Sequence, residues 1–501
     1  MSGTARPRWF ALILLLGAVG RLEAREFVDP APPTANDLAE AAPAKPTVHP
    51  DATFHAAPKP LPPGAVTHDW PSLLGPTHNM VSTETKLLGR FPAGGPRLVW
   101  QVKKGSGYAA PAIAGEHLVV LHRVGDEEVV DCVHRDTGAR FWRVTYPTTY
   151  RDRYGYNDGP RAAPVIAGGH VYTLGVEGKL HCIELATGRV KWQRHLNEEF
   201  KLRQNFFGCG TAPLVEAGKV IVNVGAKGGP TVAGFDAETG TMAWGAGEAW
   251  GQSYAAPVPA TLHGKRRVLV FAGGEGEERE KPSGGLMCLD PATGAVDFTF
   301  PWRGRPRESA NASSPLVIGD DRVFISECYG SGGAMLKVAP DLKSAEAVWT
   351  NEEFGTHFMV AVHRDGHLYG VDGHGPHDAF LACVDATTGD EAWRTQPEWR
   401  ETVQPPGGAP AQALSLGTYR AWLMPVGDGR VLCLGEYGHL LWVDVSPKGF
   451  KEIDRTRLFL ATETWTPPVI SRGLLYVCQN GKDRLTGTGP RLLCYDLRAA
   501  E

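Results

Sequence analysis

The chain has 501 residues, with 51 basic against 55 acidic side chains and a net charge of −4. That balance gives no footing for nucleic acid or an anionic lipid surface, both of which call for a basic excess. Glycine (61) and proline (39) together make about a fifth of the residues, against roughly 12% in average usage, the excess that a turn-rich β protein requires.

Arg6 and Arg8 precede an apolar run from Trp9 to Val19 that is too short to span a bilayer comfortably, and small-residue cleavage sites end at Gly20 and Ala24. Residues 1–24 are therefore expected to be a secretory signal peptide. The mature protein is expected in the periplasm or outside the cell, with no membrane span after the signal is removed. No cysteine precedes Cys132, so no lipid-anchored cysteine follows the leader. Residues 25–68 turn to Pro, Ala and polar side chains ("DPAPPTANDLAEAAPAKP", "PKPLPPG") with few aromatics and no apolar period. Such a segment cannot bury enough surface to order itself and reads as a disordered linker. The folded part, 69–501, begins near "DWPSLLGP" at Asp69.

From there one cadence repeats. "CVHRDTGARFW" (Cys132 to Trp142) returns as "CIELATGRVKW" (Cys182 to Trp192), "GFDAETGTMAW" (Gly234 to Trp244), "CLDPATGAVDF" (Cys288 to Phe298) and "CVDATTGDEAW" (Cys383 to Trp393). The aromatic landmarks Trp100, Trp142, Trp192, Trp244, Phe298, Trp349 and Trp393 stand 42 to 54 residues apart, a period of β-propeller size. Each period opens on small residues and a proline: "YAAP" (Tyr108), "RAAP" (Arg161), "GTAP" (Gly210), "YAAP" (Tyr254), "ASSP" (Ala312) and "WTPP" (Trp465). Small side chains suit innermost strands crowded around a channel. The Asp/Thr-Gly step suits a turn that needs positive φ, and the aromatic suits burial between neighbouring blades.

Two later periods are worn, one from Thr356 to Trp393 and one from Tyr419 through "FKEIDRTRLF". The last period stops before any aromatic strand, while "PRLVWQVK" (Pro96 to Lys103) has nothing before it to pair with. The expected fold is therefore an all-β, eight-bladed β-propeller of four-stranded antiparallel blades, closed by an N-terminal strand that completes the C-terminal blade. Closure removes two open sheet edges.

Small-small-Pro, Gly-x-Val-Tyr and then Leu-Asp-x-x-Thr-Gly-x-x-x-Trp resembles the repeat of the PQQ-like, quinoprotein-type β-propellers, over roughly Trp70 to Leu497. The lead-in "DWPSLLGPTHNMVSTETKLL" also resembles that of secreted bacterial members of unassigned role. The resemblance implies either a quinone-dependent alcohol dehydrogenase or a non-enzymatic propeller such as the outer-membrane assembly lipoprotein. In the dehydrogenases it implies a disulfide between adjacent cysteines against the quinone, a tryptophan below it, and Ca²⁺ held by carboxylate and amide oxygens.

The nine cysteines (132, 182, 209, 288, 328, 383, 433, 478 and 494) include no adjacent pair and no Cys-x-x-Cys-His haem site, so no catalytic residue is carried over. Cys132, Cys182, Cys288, Cys383 and Cys494 read as small buried hydrophobes on strands. Cys478 and Cys494 lie on two arms of one hairpin, where a disulfide is conceivable. His357, His363, His367, His374 and His377 cluster in sequence but read as strand and loop residues, so no metal site is assigned. "FAGGEGEEREKPSGG" (Phe271 to Gly285) reads as a solvated loop, and the sequon at Asn311 falls where an inner strand begins.

The residues just before the inner strands should ring one mouth of the channel. They are Tyr108, Arg161, Cys209, Tyr254, Asn311, His357, Tyr419 and Trp465, with Tyr150, Tyr154 and Tyr156 leading in. Aromatics mixed with Arg, Asn and His suit a polar, ring-shaped ligand. The reading is a monomeric binding or scaffold protein with no cofactor and a protein, peptide or carbohydrate partner. The alternative is a PQQ-dependent oxidoreductase, needing PQQ and Ca²⁺ at a divergent site.

Overall fold

A computed structural model of the chain describes residues 26–274, 283–307, 309–375 and 377–499. The leader at 1–24 and the centre of the charged insertion, 275–282, lie outside the described residues. Period-2 alternation becomes eight four-stranded antiparallel blades among those residues, the first seven running from inner to outer strand in chain order. Blade 1 comprises Ala112–Ala114, His117–Val124, Glu127–His134 and Arg140–Pro147. Blades 2 to 7 follow with inner strands beginning at Val165, Leu214, Val258, Leu316, Val362 and Trp422. Blade 8 takes Val469–Ser471, Leu474–Gln479 and Arg491–Asp496 from the C-terminus, and its outer strand, Arg97–Lys103, from the N-terminal side. The ring is closed as the unmatched strands require. One hairpin, Glu398–Val403 with Gln412–Gly417, stands between blades 6 and 7 outside the repeat.

The register explains the repeated cadence. Cys132, Cys182, Cys288, Cys383 and Cys494 sit directly across from Trp142, Trp192, Phe298, Trp393 and Trp100, and Gly234 takes that place opposite Trp244. A small residue is required there because the indole lies over it; a Cβ on Gly234 would stand 2.2 Å from the Trp244 ring. Each indole then reaches the next blade's turn. Trp100 donates Nε1–H to the Arg135 carbonyl (2.7 Å), Trp142 to Leu185 (2.8 Å), Trp192 to Ala237 (3.0 Å), Trp244 to Pro291 (3.2 Å) and Trp349 to Ala386 (3.0 Å). The turn glycine lies against the same ring. Phe298 has no N–H to offer, and the following turn carries buried Leu342 (φ 63°), in the same apolar cluster, where the others carry glycine. Cys478 faces Leu492 and Cys494 faces Tyr476, and both thiols are free.

Gly240 (φ 76°) shows what the turn costs to change, since its Cβ would stand 2.6 Å from the Trp192 ring. Gly240→Ala is expected to lower stability by about 3 kcal/mol, combining left-handed backbone with overpacking. Gly168→Ala, at φ 56° with nothing within 4 Å of the new methyl, should cost only about 1 kcal/mol. Urea midpoints of the two variants separate the terms.

The Pro/Ala-rich segment departs from the expected linker. Asp29 is held by the buried Arg194 guanidinium (2.5 Å) and accepts the Met242 N–H of blade 3 (2.8 Å). Thr34–Ala35 pairs with Trp192 and Gln193 of blade 2, Thr47 bridges Arg140 of blade 1, and Ala52–Phe54 pairs with Trp100 to Val102 of blade 8. The chain thus straps four consecutive blades before turning inward at Trp70, which bridges Ile113 beside the axis. Poor apolar content forbids a core but not this, because blade edges offer unpaired backbone groups.

Between blades 1 and 2 a buried acid is held against the Val176 N–H. Glu128 is fully buried and accepts that N–H at 2.9 Å. Burial raises its carboxyl to about 7. The folded state therefore keeps a proton that the unfolded chain releases near pH 4.5. Stability should fall as pH rises from about 4.5 through 7, by roughly 3 kcal/mol in total. Glu128→Gln keeps an acceptor and should flatten that slope in melting curves between pH 5 and 8.

Candidate functional site

The small-small-Pro motif does two things. Its alanines, Ala110, Ala163, Ala212 and Ala256, pack as one cluster around the axis, and Leu73 of the inward-turning lead-in packs against them. Just before the motif, backbone bonds clasp neighbouring blades. Tyr108 N–H donates to the Pro160 carbonyl (2.8 Å), and Tyr254 N–H donates to that of Asn311 (3.1 Å). The residues before each motif therefore converge at one mouth.

There the aromatics form a connected series. Tyr254 lies tilted beside Phe207 (5.7 Å between centroids) and its Oη accepts the Phe207 N–H (2.8 Å). Tyr156, half exposed, lies 6.2 Å from Phe207 and 5.7 Å from Trp465. Trp465 lies 5.1 Å from Tyr108 and 6.0 Å from Phe358. Phe358 leads to His357 (4.8 Å), whose Nε2 is 3.1 Å from the Tyr329 hydroxyl, and His374 lies 5.0 Å away. Burial, then His374 and Arg420, holds His357 well below the usual imidazole range, so it is neutral at pH 7. Burial and then Glu463, which accepts the Tyr108 hydroxyl at 2.6 Å, push that phenol far up.

Of the eight residues expected just before the inner strands, Tyr108, Arg161, Tyr254, His357 and Trp465 come together. Arg161 lies over Tyr108, Tyr150 and Phe207 at 5.6, 5.9 and 5.3 Å. It is not a free cation, because it pairs with the buried Asp152 carboxylate (2.6 Å) and the carbonyls of Asn157 and Gly159. Tyr419 turns away, onto Tyr437. Its left-handed backbone (φ 47°) brings the next residue to the mouth instead, and Arg420 stands 4.6 Å from the Trp465 ring, gripped by Glu436. Asn311 is fully buried and braces the Ala272 and Trp302 carbonyls through Nδ2 (2.8 and 3.1 Å). Cys209 is buried, and Phe207 supplies the rim there. Of the clustered histidines, His357 and His374 join the group, while His363, opposite Leu368, and His367, opposite Arg364, lie in a hairpin of blade 6.

Several buried polar atoms at this end have no partner among the described residues: Ser253 Oγ, Asn311 Oδ1, His357 Nδ1, Thr464 Oγ1, and Nε and Nη2 of Arg303. Buried polar groups are rarely left so, and water or a ligand is the usual answer. Phe207, Phe358 and Arg420 each adjoin a motif position, whereas Tyr329 and Arg303 lie in loops that no periodicity marks. A polar cavity of about 300 Å³ opens beside the mouth, lined by Glu327, Cys328, Asp372, Asp378 and Arg394 among others.

The quinone-and-calcium site implied by the resemblance does not fit these residues. No two cysteines are adjacent, and all nine are free. The carboxylates touching the ring are committed: Asp152 to Arg161, Glu463 to Tyr108, Glu436 to Arg420, and Glu327 to Ser309 Oγ and the N–H groups of Tyr329 and Ser331.

Fold and repeat together define a PQQ-like β-propeller. The chain belongs to the family described as outer membrane protein assembly factor BamB, whose model matches residues 125–395, more than half of its length. No curated protein matches the chain. Among solved structures it is similar to BamB from Moraxella catarrhalis, at 15% identity and a TM-score of 0.51, over 81% of this chain and 98% of that one. A europium-containing methanol dehydrogenase shares 13% identity with a TM-score of 0.61, over 86% and 98%. Quinohemoprotein alcohol dehydrogenase from Comamonas testosteroni shares 14% with a TM-score of 0.59, over 86% and 81%. At such identities the likeness is one of fold.

Proposed function

We propose that this chain is an exported, monomeric binding or scaffold propeller that holds a ligand in its aromatic mouth without turning it over. The observation that carries this reading is the connected ring from Tyr254 through Trp465 to His357, with buried polar atoms left unpartnered beneath it. Stacking faces together with open hydrogen-bonding groups suit a flat polar ligand, carbohydrate, peptide side chain or aromatic acid, better than a purely apolar one. Membership of an assembly-factor family supports a binding role and a place in the cell envelope.

Two measurements on purified protein test the reading against the oxidoreductase. With PQQ and Ca²⁺ added, the absorption spectrum should be that of free quinone, and a dye-linked assay should show no alcohol oxidation. A bound-quinone spectrum with dye reduction would replace the binding reading by the dehydrogenase one.

A further inference from the structure

Arg303 follows the outer strand of blade 4 and sits in the gap of the ring between Tyr254 and Tyr329. Three contacts locate it. Asn311, whose carbonyl accepts the Tyr254 N–H, holds the Trp302 carbonyl just before Arg303 (3.1 Å). Gly304, just after it, packs so closely on Glu327 that a Cβ there would be 2.7 Å from Oε2. Glu327 Oε2 in turn accepts the Tyr329 N–H at 2.9 Å.

The guanidinium is tethered on one side only. Nη1 donates to the Gly273 carbonyl at 3.0 Å, while Nε and Nη2 are buried with no partner among the described residues. These two nitrogens form the side-on fork, whose parallel N–H groups match the two oxygens of a carboxylate. The same fork is filled elsewhere in this molecule. Arg143 holds Asp131 through Nε and Nη2 (2.8 and 2.6 Å), and Arg266 holds Glu216 the same way (3.0 and 2.8 Å). Glu327, an acid close by, does not fill the Arg303 fork, because its oxygens are taken by Ser309, Tyr329 and Ser331. Burial brings the Arg303 side chain down to about 10, so it remains a cation at neutral pH.

Resting on the reading of the mouth as a binding site, we propose that Arg303 anchors a carboxylate of the ligand, so that the ring takes aromatic acids in preference to neutral sugars. The aromatic body stacks on the rim while the oxyanion reaches past it into the fork. Buried guanidinium N–H groups left unpaired are costly, and a bidentate oxyanion removes that cost.

The test compares 2-naphthoate with its neutral analogue 2-naphthamide by titration calorimetry, on the unmodified protein and on Arg303→Gln. The expected result is naphthoate binding at least tenfold tighter than naphthamide to the unmodified protein. The preference should vanish in Arg303→Gln, with naphthoate losing at least tenfold more affinity than naphthamide. Equal affinities in the unmodified protein would overturn the inference and leave the mouth reading standing, since a water would then serve the fork. If neither compound binds, the inference and the reading beneath it fail together. The first comparison needs no variant, so a misfolded Arg303→Gln cannot obscure the answer.

Discussion

Trp100→Ala is expected to destabilise the protein by about 3–5 kcal/mol, the range for emptying a buried large aromatic, and to loosen the closure of the ring. Trp100 is fully buried and acts across two joints at once. Its strand completes blade 8 by pairing with Arg491–Asp496, and its indole docks on the blade 1 turn through Arg135 and Gly138. Trp100→Phe should cost less, about 1–2 kcal/mol, because it loses the N–H bond and part of the ring but keeps most of the aromatic contact. The Arg135 carbonyl keeps the Tyr476 hydroxyl at 3.3 Å. Urea midpoints give the energies. Limited proteolysis gives the closure, with Trp100→Ala cut within the strap or its outer strand at concentrations that leave Trp100→Phe intact.

The second large effect concerns the mouth. Trp465→Ala should weaken binding of a flat aromatic probe such as 2-naphthoate by tenfold or more, as removal of a central aromatic anchor does. Trp465 is only half-buried, and the residues around it hold one another: Arg420 is kept by Glu436, and Tyr108 by Glu463. The melting temperature should therefore drop little. Arg161→Ala will not behave that way. It strands the Asp152 carboxylate, whose remaining partners are the N–H groups of Tyr154 (2.8 Å) and Asn157 (3.3 Å). A loss of about 2–3 kcal/mol is expected from breaking a buried pair that keeps some partners. Differential scanning calorimetry distinguishes the two variants, so Arg161 is the wrong residue for a clean test of binding.

The blades and their closure were legible because each blade repeats the same local demands: small residues at the axis, a left-handed turn, an aromatic outside. The reason for the cysteine was only half legible. A small buried hydrophobe follows from the pattern, but that it lies across from an indole, which in turn covers the next blade's glycine, needs the register. The strap at residues 26–68 left no sign because it docks through backbone hydrogen bonds and scattered side chains, such as Asp29 on Arg194 and His49 beside Asp131, which impose no side-chain period. At the mouth, the position before each motif is a fair guide where the backbone stays extended. It fails at Tyr419, where positive φ substitutes Arg420. It could not reach Arg303 or Tyr329, which arrive from loops between strands.

The most direct measurement of the central claim is a crystal structure of the protein soaked with a panel of aromatic acids and sugars. The account predicts a bound compound inside the ring, stacked between Trp465, Tyr108 and Phe207 and reaching the unpartnered atoms beneath. Compounds found only on the outer blade edges, with that mouth empty at every soak, would contradict it.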